Sequence, residues 1–139
     1  MELGIGLIVA ASAIYLLLGI AHVALTLFTN SFDPSDSELL ALNKSMSPNI
    51  TTQTTLWSGG VGFHLSHSLG LIIFGAFYLA IALENPEIIL TSLVFSLGLI
   101  IVPTIYLFLS IKYWFITPTI GLALSCIGYI GGLVITSKI

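Results

Sequence analysis

Histidine occurs three times in the chain, and each time in an apolar setting: His22 in "LGIAHVALT", and His64 with His67 in "GGVGFHLSHSLG". Neutral imidazole is a common ligand for zinc, copper and iron. Three such nitrogens on two segments suit a transition metal, copper or zinc, with an open position. One histidine from each segment suits a b-type haem. The same rings can relay protons or hydrogen-bond a small amphiphilic ligand such as a quinone or a lipid headgroup, because histidine changes charge near neutral pH. A plainer role is that each ring fastens helices by bonding a serine, a tyrosine or a backbone carbonyl. His22, His64 and His67 are thus the candidate metal ligands, and with Tyr106 they are the candidate cofactor or ligand contacts. No HExxH is present and no Ser-His-Asp order is discernible, so no catalytic motif supports an enzyme.

Composition names the solvent. The 139 residues are 57% hydrophobic and 6% charged, far from the roughly 25% charged content of an average soluble domain, and the mean hydropathy is +1.13. This is the composition of an integral membrane protein. Lys and Arg together number 3, too few for a nucleic-acid-binding face. The one cysteine, Cys126, lies in an apolar run; it allows no intrachain disulfide, CxxC pair or c-type haem attachment and reads as a small core residue.

Four apolar segments are each long enough for a hydrocarbon core, which takes about 20 helical residues. They cover about 3–27, 58–83, 88–111 and 116–135. The first carries "ASA" at 11–13, but it opens on Glu2, lacks a basic flank and stays apolar too long for a signal peptide. "ENPE" separates the second and third spans, with Pro86 as breaker and Glu84 and Glu87 in water. "IKYWFITP" separates the third and fourth, with Lys112, Tyr113 and Trp114 as an interfacial anchor and Pro118 in the first turn of the next helix. The fold expected is an all-α, single-domain, up-down-up-down four-helix membrane bundle over 1–139, with both termini on one side and Trp57 and Trp114 at one interface.

The loop 28–57 holds most of the polar residues. Ser35 followed by Glu38 is a capping-box pattern, and Leu39, Leu42 and Met46 fall at i, i+3 and i+7. This predicts a short amphipathic helix over Ser35 to Met46, on the membrane surface or over the bundle mouth. The sequons at Asn43 and Asn49 matter only in a secretory pathway and read as chance. Lys44 and Lys112 on the loop side, against Lys138 on the side of the termini, place the long loop in the cytoplasm. The general look is that of small four-span bacterial membrane proteins, which implies a bacterial inner membrane.

These spans set the depth of the histidines. His22 lies about six residues before the first span ends and His64 about six after the second begins, which at 1.5 Å per residue puts both about 9 Å from one face. His67 sits one turn deeper, on much the same side of its helix as His64. Ser12, Tyr15, Gly19, His22 and Thr26 form one stripe along the first helix that should face inward. Tyr106 reaches a depth similar to that of His22, Pro103 near it frees a carbonyl, and Asp33, Asp36 and Glu38 lie at the same face.

Gly62, Ser66 and Gly70 on the second span and Gly128 with Gly132 on the fourth are small-xxx-small series that let helices approach closely. They serve packing within the chain, or a homo-oligomer or larger membrane complex. The function expected is therefore a polytopic membrane protein with an intramembrane histidine site for a metal, haem or small amphiphilic ligand. The alternatives are an accessory subunit of a larger membrane complex and an oligomeric transporter or channel for a small solute.

Overall fold

The computed structural model describes residues 2–137; Lys138, used above for orientation, lies outside the described residues. The chain forms α1 (Glu2–Phe28), α2 (Ser37–Ser45), α3 (Leu56–Glu84), α4 (Pro86–Thr91), α5 (Leu93–Tyr113) and α6 (Ile116–Thr136), with no strand among the described residues. Four of these helices, α1, α3, α5 and α6, are long and apolar enough to cross a membrane. Large apolar side chains stand exposed along all four, Leu17, Phe63, Ile105 and Ile127 among them. Soluble monomers rarely present such continuous apolar surface, and the chain is an integral multi-pass membrane protein.

The third apolar segment differs from the expected single span. Asn85 precedes a short helix with Pro86 in its first turn, and the chain leaves helical geometry at Ser92 (φ −94°, ψ 116°) before α5 begins. The break takes the Leu93 N–H away from the Ile89 carbonyl, and the Ser96 hydroxyl donates to that carbonyl instead, at 2.6 Å. Hydropathy alone runs smoothly across this point, because the polar residues that make the break are only Thr91 and Ser92. At the other end of α5, Trp114 closes the helix and Phe115 opens α6, with Pro118 in its first turn.

The cap of α2 also differs. Asp36, not Ser35, is the N-cap: its carboxylate accepts the N–H groups of Glu38 (2.8 Å) and Leu39 (3.0 Å). A carboxylate at this position both satisfies otherwise unpaired donors and interacts favourably with the helix dipole. Leu39, Leu42 and Met46 are each about half exposed.

The residues sort into two compact units, Met1–Leu18 with Leu71–Ile139, and Gly19–Gly70. In the first, α1 and α6 run antiparallel in close contact. A Cβ on Gly4 would meet the Gly132 carbonyl and Thr136, one on Gly128 would meet Ala11 and the Leu7 carbonyl, and one on Gly121 would meet Leu18. Such approach supplies dispersion contacts where lipid provides no hydrophobic drive. Polar cross-links reinforce it: Ser125 Oγ donates to the Ala11 carbonyl and Tyr129 Oη to Ser12 Oγ, both at 3.2 Å. The core combines Ile8, Leu71, Ile89, Leu99 and Leu122 with Tyr15 and Tyr129. Ser12 and Tyr15 of the expected inward stripe are fully buried.

In the second unit the end of α1, the loop 29–36, α2 and the start of α3 come together. The Leu56 N–H donates to the Met46 carbonyl at 2.9 Å, joining the end of α2 to the start of α3. Trp57 Nε1 donates to Asp33 Oδ1 at 2.8 Å, pinning the loop to α3. The Lys44 ammonium lies over the Trp57 ring, 5.0 Å from its centroid.

Candidate functional site

All three histidines belong to the Gly19–Gly70 unit. His22 is on the last turns of α1, and His64 and His67 are on the first turns of α3. One turn further along each helix a hydroxyl folds back on the backbone of the same two histidines: Thr26 Oγ1 donates to the His22 carbonyl and Ser68 Oγ to that of His64, each at 2.7 Å.

The side chains of His22 and His64 meet directly, His22 Nε2 to Nδ1 of His64 at 3.1 Å. One nitrogen must carry the proton and the other must accept it, so the bond fixes complementary tautomers on the two rings. The His67 ring meets His22 edge-on, with centroids 5.5 Å apart. Phe32 covers the pair: its ring stacks on His64 at 4.4 Å and 19° and lies 4.7 Å from that of His22. A loop residue thus packs on two imidazoles that lie within a turn or two of the helix ends.

The three rings therefore converge, with His22 in contact with both His64 and His67. Among the described residues no group of three or more His, Cys, Asp or Glu stands where it could hold a metal ion. The facing nitrogens of His22 and His64 spend their lone pair and proton on each other. The contact at 3.1 Å engages Nε2 of His22 and Nδ1 of His64 and leaves the second nitrogen of each ring outside that bond. Tyr106 belongs to the other unit, where its ring lies edge-on to Tyr15 at 5.8 Å.

Beside His64 is a cavity of about 370 Å³, bordered also by Phe32, Asp33, Trp57, Thr26, Asn30 and Asn43 among others. This is within the roughly 300–1,000 Å³ of small-molecule sites. Its wall mixes apolar and aromatic surface with a few hydroxyl, amide and carboxylate groups, the pattern of an orienting pocket. The sequence placed Asp33 at the face of the histidines, with Asp36 and Glu38, but did not single out Phe32 or Trp57 as site residues. The available signal was "NSFDP", one aromatic and one acid isolated in a polar loop, which acquires meaning only once the loop is seen against α3.

No family model, curated protein or solved structure matches the chain.

Proposed function

We propose that this membrane protein binds a small amphiphilic ligand in the Gly19–Gly70 unit, its polar head entering the cavity beside His64. In this reading the four apolar helices cross the bilayer up-down-up-down, both termini lie on one side, and α2 rests in the interface with Leu39, Leu42 and Met46 toward lipid. One observation carries it: His64, hydrogen-bonded to His22 and stacked under Phe32, borders an amphipathic cavity together with that same Phe32. A pair that served only to fasten two helices would need neither an aromatic cover nor an adjoining pocket. The metal and haem alternatives have less behind them, since the facing nitrogens are engaged with each other.

The test is to purify the protein in maltoside, extract it with organic solvent and identify what is released, with elemental analysis and a visible spectrum on the same sample. The expected result is one organic species near stoichiometric amount, without stoichiometric metal and without a haem band. Stoichiometric zinc, copper or haem would reverse the reading.

A second reading, a subunit of a larger membrane assembly, has one observation in its favour. Gly62 and Ser66 are exposed, and a Cβ on Gly62 would meet nothing within 4 Å. Gly128 and Gly132, by contrast, are used up in packing against α1.

A further inference from the structure

The geometry points to an ammonium group as the head that the cavity takes, held by the Asp33 carboxylate among the Phe32 and Trp57 rings; this rests on the amphiphile-binding reading above. The charge balance of the wall selects the sign. Asp33 is the only formally charged residue among the described residues that line the cavity. Much of the polar lining, Thr26, Asn30 and Asn43 included, offers side-chain oxygens that accept hydrogen bonds from an ammonium. One Asp33 oxygen accepts the Trp57 indole N–H at 2.8 Å. That bond holds the carboxylate in place and leaves its remaining lone pairs for a ligand.

The aromatic residues point the same way. The faces of Trp and Phe rings attract cations, and cages of such rings are a recurrent means of binding alkylammonium groups. The chain already shows that the Trp57 ring accepts an ammonium, because Lys44 Nζ lies over it while standing outside the cavity lining. The site is also at the right level: it is formed where α1 ends and α3 begins, the point at which apolar helix gives way to polar loop. Tryptophan at such a junction favours the headgroup region of a bilayer. An amine there keeps its head among polar groups while its chain follows the apolar helices.

The experiment uses the full chain in maltoside micelles with Trp114→Phe, which leaves Trp57 as the one indole of the two in the sequence. Hexadecylamine, hexadecanol and hexadecyl sulfate are titrated against Trp57 emission. The amine is expected to saturate at least about tenfold more tightly than the alcohol or the sulfate, the factor set by a charge-assisted hydrogen bond. Asp33→Asn, which retains an acceptor for the indole, should weaken amine binding by about tenfold, whereas Lys44→Ala should leave it equal or tighter. Ethanolamine hydrochloride and phosphatidylethanolamine, added in parallel, separate a soluble amine from a lipid headgroup as the source. Preference for the sulfate, lost in Lys44→Ala, would overturn the inference in favour of an anion. Equal binding of amine and alcohol, unaffected by Asp33→Asn, would also overturn it while leaving the amphiphile site standing. If none of the three saturates, the proposed function falls with it.

Discussion

Two imidazoles that face each other across 3.1 Å form a specific device, because each constrains the protonation of the other. Removing one ring leaves the other's nitrogen half-buried without its partner, and such a loss costs about 1–3 kcal/mol. In a double-mutant cycle with His22→Phe and His64→Phe, followed by thermal unfolding in detergent, the two changes should couple by about 1 kcal/mol. Additive effects would show that the pair contributes nothing as a pair. Phe32→Ala removes a ring stacked on His64 and should destabilise by about 1 kcal/mol, the usual worth of an aromatic contact beyond its buried area. At this scale the sequence was informative about the histidines and silent about their cover. Matched depth on neighbouring apolar segments predicted that His22, His64 and His67 approach one another. Phe32 could not be foreseen, because a polar loop has no periodicity from which to read the direction of a side chain. Nor does residue type by itself separate a hydrogen-bonded pair from a set of metal ligands.

Among the elements, glycine has two opposite uses. A Cβ on Gly75 would lie 2.5 Å from the Leu16 backbone nitrogen and 2.9 Å from the Ser12 carbonyl oxygen. Backbone cannot step aside as a side chain can, so Gly75→Ala should force α1 and α3 apart and destabilise by about 1–3 kcal/mol, as overpacking does. Gly62→Ala meets open space and should be neutral or stabilising by up to about 1 kcal/mol through helix propensity. Thermal unfolding of the two variants checks the contrast, and equal effects would contradict it. The long helices were legible because apolar runs of this length have no other stable state in a bilayer. The break at Ser92 and the shift of the α2 cap from Ser35 to Asp36 were not. Both depend on which hydroxyl or carboxylate reaches a given backbone group, a choice among neighbours that a sequence pattern leaves open.

For the molecule as a whole, the solvent is the first determinant. Phe63 is 79% exposed and Ile127 68% exposed, values that suit hydrocarbon and not water. The proposed topology gives a labelling prediction in a Cys126→Ala background, in intact membranes. Cysteines at Ser45 and Asn85 should react with an impermeant maleimide from opposite sides, since one span, α3, lies between them. Reaction of both from the same side would exclude that arrangement.

The most direct measurement of the central claim, that the imidazole unit holds a ligand, is native mass spectrometry of the protein released from maltoside micelles. The wild-type chain is compared with His64→Leu/His67→Leu, and circular dichroism confirms that the variant keeps its helicity. The wild type should carry one discrete small-molecule adduct that the variant lacks. The same adduct at the same occupancy in both, or none in either, would contradict the account and reduce the histidines to fasteners between α1 and α3.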